Sequence, residues 1–286
     1  NDVDGVFIEV QGNDVDAFVT AITEHAPPLA VIHEINVTPI ACLDEDRFAI
    51  VPSLEGEGVT SIPPDTAVCD DCVAELFDPA NRRYGYPFIA CTNCGPRYTM
   101  TVGLPYDREH TTMREFPLCP ECAAEYEDPA SRRFHAQPTA CAECGPRLSM
   151  TISEMVDALN AGKIVAMKGI GGYHLVCHAR NVHAVSRLRE RKQRGAKPFA
   201  VMVRELDDAI ANSPARPIVL IPAFDTVLNA SVAPGNNFIG VMLPYTPVHH
   251  LLFANGAPDV LVMTSGNLAD EPICIDADEA EERLAE

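Results

Sequence analysis

The sequence predicts a multidomain protein that mixes α+β and α/β architecture in three consecutive parts. Three observations predict it. Four CxxC pairs fill the middle of the chain, a strand–helix–strand pattern precedes them, and alternating strand and helix patterns follow them. With 286 residues there is room for two or three domains, and 47% hydrophobic residues supply ordinary cores.

The first part is residues 1–52. Residues 5–10 (GVFIEV) alternate as a strand does, and Gln11-Gly12-Asn13 follows as a turn. Val15, Phe18, Val19 and Ile22 fall at helical spacing within residues 14–25, and Pro27-Pro28 stops that helix. Residues 31–40 (VIHEINVTPI) and 47–51 (RFAIV) read as two more strands. The Gly/Pro-rich stretch 53–64 reads as a linker.

The second part, residues 65–150, holds eight of the 11 cysteines as Cys69/Cys72, Cys91/Cys94, Cys119/Cys122 and Cys141/Cys144. The first and second pairs enclose 18 residues, as do the third and fourth, a spacing suited to a four-cysteine zinc site. Each CxxC turn sets two thiolates on one side of a knuckle, and two knuckles close a tetrahedron that Zn²⁺ accepts. Disulfides, a redox pair and an iron–sulfur cluster are the competing readings. Reduced cytosolic thiols, the tandem occurrence and the wide spacing weigh against them in turn. The two sites, 69–94 and 119–144, repeat with a period of 50 and share CxxC, AE, DPAxRR and CGPR without a gap, so they form a duplicated module. Closed four-cysteine sites are structural. His110 and His135 are expected to be non-ligands, Arg82/Arg83 and Arg132/Arg133 to pair with acids of their own module, and Cys42, Cys177 and Cys274 to be small buried hydrophobes.

The third part, residues 151–286, alternates strands and helices and reads as α/β. Residues 153–161 form a helix capped at Ser153 and ended by Gly162, and KIVAMK is a strand leading to Gly169-Ile170-Gly171-Gly172. Residues 181–192 are helical, AKPFAVMV is a strand and LDDAIA a helix. RPIVLI, FIGVMLP, HHLLF and VLVMTSGN continue the alternation, and the last residues look like another helix.

Charge bounds the partners. Lys+Arg is 21 against Asp+Glu 41, a net −20 that repels nucleic acid over most of the surface. The exception is 187–204, where Arg187, Arg189, Arg191, Lys192, Arg194, Lys197 and Arg204 are interrupted only by Glu190. That stretch is either a solvated helix face or an anion site. No run of about 18 apolar residues is present and the first residues carry no basic n-region, so a cytoplasmic chain without a membrane span is expected. An anion site in the third part would draw on Lys168, Lys192, Arg194 and Lys197 for charge and on Ser265 and Asn267 as donors at a strand end, with Tyr173 beside the glycine loop. His249 and His250, an isolated pair, are read as structural.

Together these residues resemble the HypF family of hydrogenase-maturation carbamoyltransferases along the whole chain. The tandem CxxC-x18-CxxC modules with DPAxRR and CGPR carry the resemblance most specifically. KGIGGYHLVCHA, RKQRGAKPFAVM, GVMLPYTPVHHLL and MTSGNLADEPI look like a YrdC-type domain, and residues 1–52 look like the C-terminal half of an acylphosphatase-like, ferredoxin-like domain. The resemblance implies two structural zinc ions and ATP with Mg²⁺. It implies cleavage of carbamoyl phosphate, carbamoyl-adenylate formation from carbamate and ATP, and transfer to the terminal cysteine of a HypE-type partner. It places KxR at Lys192-Gln193-Arg194 and SxN at Ser265-Gly266-Asn267 in the nucleotide site, and Asn1 at the acylphosphatase catalytic asparagine. That domain's phosphate-binding arginine has no counterpart here, and His178 stands where an acidic residue is usual. By the same resemblance the YrdC-type domain is cut short and a final transferase domain is missing, as in a fragment or truncated product. YrdC-type relatives also suggest double-stranded RNA binding or threonylcarbamoyl-AMP synthesis as alternatives.

Overall fold

The computed structural model describes residues 6–30, 32–42, 62–223, 226–268 and 271–284. Asn1, the strand expected at 47–51 and most of the linker 53–64 lie outside the described residues.

In the first part, helix α1 (Val15–Glu24) forms where its apolar spacing predicts, and the Asp14 carboxylate caps it by accepting from the Ala17 amide at 3.0 Å. The strands expected at 5–10 and 31–40 are not formed in the described residues 6–10 and 32–40. Val6, Phe7, Val37 and Ile40 are all more than half exposed. An alternating sequence makes a strand only when a neighbouring edge accepts its ladder hydrogen bonds. No described strand pairs with these segments.

The cysteine modules open with helices α2 (Asp70–Phe77) and α3 (Pro120–Glu127). Cys69 and Cys119 are the residues just before these helices, so Cys72 and Cys122 fall in the first helical turn. Three short 3₁₀ turns, Tyr98–Met100, Arg108–His110 and Thr112–Glu115, connect the modules.

The third part folds around a six-stranded sheet. Its strands are β1 (Val165–Lys168), β2 (Tyr173–His178), β3 (Ala200–Val203), β4 (Val219–Pro222), β5 (Phe238–Met242) and β6 (Val260–Ser265), in the order β1-β2-β6-β3-β5-β4. Only β3 and β5 run parallel. Helices α4 (Ile152–Asn160), α5 (Val182–Arg191), α6 (Thr226–Val232), α7 (Pro247–Ala254) and α8 (Ala277–Leu284) complete it. Val176, Leu261 and Met263 belong to a core with α4 and α7, whereas Leu175, Cys177, Val201 and Val262 belong to a second core with α5. Burial on both faces accounts for the unbroken apolar runs of β3 and β6.

Two local expectations are corrected. Helix α4 is capped by Thr151 rather than Ser153. Thr151 Oγ1 accepts from the Glu154 amide at 3.2 Å, and the Thr151 amide donates to Glu154 Oε2 at 2.8 Å. That capping box needs a glutamate three residues on, which Ser153 lacks. The helix expected at LDDAIA is a set of turns. The Asp208 carboxylate accepts from the Ala211 amide at 2.8 Å, and such a local bond competes with helix formation. No described helix is long and apolar enough to cross a membrane.

Helix α7 carries the histidine pair inward. His249 Nδ1 accepts from the Thr246 amide at 3.2 Å, a structural role as expected. Burial, reinforced by Arg216, pushes His250 down to about 4. In the unfolded chain the same ring takes a proton near pH 6.5. Its contribution to stability is therefore complete above about pH 6.5 and lost as pH falls toward 4, about 1–2 kcal/mol by pH 5. Urea denaturation of His250→Gln should show that much less acid sensitivity than the parent. An unchanged pH slope would refute the assignment.

Candidate functional site

Each cysteine quartet converges on one point. All Sγ atoms of Cys69, Cys72, Cys91 and Cys94 lie within 4.8 Å of one another, as do those of Cys119, Cys122, Cys141 and Cys144. Sγ–Sγ distances are 3.7 Å for Cys69–Cys91 and Cys119–Cys141, and 3.8 Å for Cys91–Cys94 and Cys141–Cys144. A tetrahedron with Zn–S of about 2.3 Å has edges of about 3.8 Å, so the donor sets fit zinc in size and in chemistry. Neither histidine joins them: His135 packs against Tyr126 and Phe134, and His110 is in no metal-sized cluster among the described residues. Cys177 and Cys274 are buried as expected, but Cys42 is exposed, its thiol donating to Gln11 Oε1 at 2.7 Å.

The arginines of the DPAxRR repeats do not pair within their own modules. Arg82 donates to Cys122, Cys119 and Cys141 Sγ at 3.2, 3.3 and 3.4 Å, and Arg132 donates to Cys91 Sγ at 3.3 Å. Arg83, fully buried, grips Glu125, and Arg133 grips Glu75. Burial alone would raise both carboxyls, but the guanidinium groups beside them hold Glu75 and Glu125 below the usual carboxylate range. A local sequence reading pairs neighbours in the chain, whereas the duplication places the two modules face to face. Close approach across that face also explains Gly145: a Cβ there would stand 2.0 Å from Tyr86 Oη. The arginines of CGPR hold the knuckles: Arg97 donates to the Gly95 carbonyl at 3.0 Å, and Arg147 to the Ala142 carbonyl at 3.3 Å.

A second site lies at the carboxyl end of β6. A cavity of about 220 Å³ is lined by Lys192, Gln193, Arg194, Lys197, Ser265, Asn267 and Leu268, with no carboxylate among them. Lys192 follows α5, and its Nζ donates to the Ser265 carbonyl at 2.6 Å, the Asn267 carbonyl at 2.6 Å and Asn267 Oδ1 at 2.8 Å. Ser265 Oγ donates to Asn267 Oδ1 at 2.7 Å. Residues 73 apart in the sequence thus form one hydrogen-bonded unit. Gly266 is required there, because a Cβ would meet Tyr173 Cβ at 2.8 Å. Arg194 lies over the Phe199 ring, 4.9 Å from its centroid, and donates to the Pro198 carbonyl at 2.8 Å.

Lys168 and Tyr173 do not line the cavity. They pair across β1 and β2, with Lys168 Nζ 5.7 Å from the Tyr173 ring centroid, and Tyr173 reaches the SxN loop through its carbonyl, which accepts from the Gly266 amide at 2.6 Å. Gln193 and Leu268 are cavity residues that the sequence reading passed over. Gln193 has a left-handed φ of 50°, a geometric feature with no apolar or charged signature.

Much of the basic stretch 187–204 is internal. Arg187 donates to the Gly162 carbonyl, Arg189 to the Gly195, Lys197 and Ser231 carbonyls, and Arg204 to the Phe253 carbonyl. These guanidinium groups hold backbone rather than face a partner.

The fold and the two kinds of site define a chain that joins paired four-cysteine fingers to a mixed α/β domain with a cationic cavity. The HypF finger model matches residues 68–101 and 118–151, and the Sua5/YciO/YrdC model, described as telomere recombination, matches residues 157–286. The chain is 50% identical over 302 residues to carbamoyltransferase HypF of Rhizobium leguminosarum bv. viciae, covering 99% of this chain and 40% of that protein. It is 48% identical to carbamoyltransferase HypF of Rhodobacter capsulatus, covering 100% and 41%. A crystal structure of full-length HypF in phosphate- and nucleotide-bound form superposes with a TM-score of 0.89 at 44% identity, covering 95% of this chain and 39% of that one. HypF of T. kodakarensis gives 0.85 at 42% identity, covering 97% and 38%. The chain belongs to the HypF family, and it spans about two fifths of the length of the relatives it matches.

Burial, reinforced by Arg194 and Lys197, pushes the Lys192 amine down to about 8. The amine is charged at pH 7 and loses its proton as pH rises through 8. Affinity of the cavity for a phosphate-bearing ligand should therefore be level below pH 7 and fall above pH 8. Lys192→Met should bind at least about tenfold more weakly and lose that pH dependence, since the Ser265–Asn267 loop that shapes the cavity loses three charge-assisted hydrogen bonds, each worth about 1.5–3 kcal/mol. Equilibrium titration with ATP across pH 6–9 checks both, and a parent profile flat to pH 9 would contradict the assignment.

Proposed function

We propose that this chain is the metal-bearing and nucleotide-binding part of a HypF-type carbamoyltransferase. The observation that carries the reading is convergence: Lys192, Arg194, Lys197, Ser265 and Asn267, nominated from separate motifs, line one cavity free of carboxylates. In this reading the cavity takes ATP with Mg²⁺. Arg194 and Lys197 meet phosphate oxygens, Lys192 holds the Ser265–Asn267 loop in shape, and the Ser265 hydroxyl and Asn267 amide orient the reacting groups. The chemistry is adenylation of carbamate: a carbamate oxygen attacks the α-phosphorus, pyrophosphate leaves, and carbamoyl-adenylate forms. Carbamoyl phosphate supplies the carbamate, and a HypE-type protein accepts the carbamoyl group. Tyr173 and Lys168 support the loop from β1 and β2. Each cysteine quartet holds one structural zinc ion, and a closed four-thiolate site leaves the ion no open position for substrate.

Two observations favour this reading over an RNA-binding or threonylcarbamoyl-AMP reading. Arg187, Arg189 and Arg204 of the basic stretch are engaged with backbone carbonyls. The HypF finger matches cover both cysteine modules.

Elemental analysis of the purified chain is expected to give two zinc ions. Calorimetric titration should show ATP binding that weakens at least about tenfold in Arg194→Gln/Lys197→Gln, in line with the loss of two charge-assisted contacts. Carbamate-dependent pyrophosphate release should fall in parallel. A folded, zinc-loaded chain with no affinity for ATP would sink the nucleotide reading.

A further inference from the structure

Among the described residues, every side-chain hydrogen bond of Arg82 crosses from the first finger to the second: to Cys119, Cys122 and Cys141 Sγ and to Glu125. Those of Arg132 cross in the opposite direction, to Cys69, Cys72 and Cys91 Sγ and to Glu75. Arg82 lies in the segment that joins the two CxxC pairs of the first site, and Arg132 in the matching segment of the second. The segment that closes one metal site is therefore held in place by the sulfur atoms of the other.

We propose that the two quartets form a single cooperative metal-binding unit, with Arg82 a positioning residue for the second site and Arg132 for the first. The proposal rests on the zinc reading above and goes beyond it by coupling the sites. The physical argument is charge. Four thiolates around a divalent cation carry two net negative charges. Arg82 and Arg83 both donate to Cys122 Sγ, at 3.2 and 3.3 Å, beside the single carboxylate of Glu125. These contacts tie the Arg82 segment to the sulfur positions of the second quartet, so the segment is held in place only when that quartet is gathered around its ion. Filling the second site thus fixes the Arg82 segment, which brings Cys72 and Cys91 together in the first. The same holds in reverse through Arg132, so each ion raises the affinity for the other by the same factor. The contacts themselves are not perfectly symmetric: Arg83 Nε donates to the Ala140 carbonyl at 2.8 Å, whereas Arg133 Nε is buried without a partner among the described residues.

The test uses the full zinc-loaded chain and reads each cysteine separately, by N-ethylmaleimide labelling in the presence of a chelator followed by peptide mass spectrometry. Arg82→Gln should accelerate labelling of Cys119, Cys122, Cys141 and Cys144 by about 10- to 100-fold, the effect usual for loss of a group that supports metal ligands, before its own module responds. Arg132→Gln should do the mirror image. Arg82→Lys and Arg132→Lys keep the charge but not the forked geometry and should fall between, with circular dichroism confirming that the fold persists. Native mass spectrometry during zinc titration should show the one-zinc species of the parent chain below its statistical share, and restored toward it in Arg82→Gln. Acceleration confined to the variant's own module, no acceleration, or statistical filling of the parent overturns the proposal. A parent chain that holds no zinc overturns the zinc reading itself, which the stoichiometry reports independently.

Discussion

Thiolates around a metal ion repel one another, and eight cysteine sulfur atoms are gathered within two adjacent clusters. In the zinc reading the ion offsets half of each quartet's charge, the rest is offset by groups outside the cluster, and the middle of the structure follows from that constraint. Arg82, Arg83, Arg132 and Arg133 lie between the modules, where their positive charge reaches both quartets, and the half-buried carboxylates of Glu75 and Glu125 bind them there. Each carboxylate holds two arginines, so the modules are pinned face to face. The pair is then attached to the sheet domain. The Ala67 amide donates to the Pro214 carbonyl at 2.9 Å and the Val68 amide to the Tyr245 carbonyl at 3.1 Å, while Leu251 of α7 enters the core of the first finger.

The cavity at the end of β6 obeys a related constraint on a smaller scale. A lysine amine so deeply buried needs acceptors for its protons, and Lys192 finds three in the Ser265–Asn267 loop. It serves as the scaffold of the site as well as part of its field. Arg194 and Lys197 remain as the cationic side chains that line the opening with neutral neighbours. A motif of the form KxR therefore contains two roles at alternate positions. The lysine turns inward to shape the loop, and the arginine lies along Phe199 with its charge toward the cavity.

The parts legible in the sequence are those in which a local pattern decides the outcome. CxxC spacing fixes the metal quartets because the knuckle geometry is contained within four residues. The apolar runs at 165–168, 200–203 and 260–265 are strands, as their composition implies, since a sheet covered on both faces needs no polar alternation. Features that depend on distant partners were not legible. The segments around residues 6–10 and 32–40 have strand composition, yet no described edge accepts them. The arginine repeats gave the right residue types and the wrong partners, because a tandem duplication leaves no sign of whether its copies interact within or across. Thr151 took the cap from Ser153 because a glutamate three residues further on decides between two plausible hydroxyls. The basic run 187–204 looks like a surface in one dimension, but Arg187, Arg189 and Arg204 close off carbonyls of neighbouring turns.

The exchange of arginines also bears on how such a pair of fingers could arise. A finger that sends its own arginine into a neighbour lacks that arginine at its own quartet, so a solitary copy is incomplete. Two identical copies related by a two-fold axis would complete each other at once, which is the geometry of a self-complementary homodimer. Joining the copies head to tail on one polypeptide preserves the exchange while making it independent of protein concentration. It also frees each half to diverge: Arg83 Nε is bonded, whereas Arg133 Nε has no partner among the described residues.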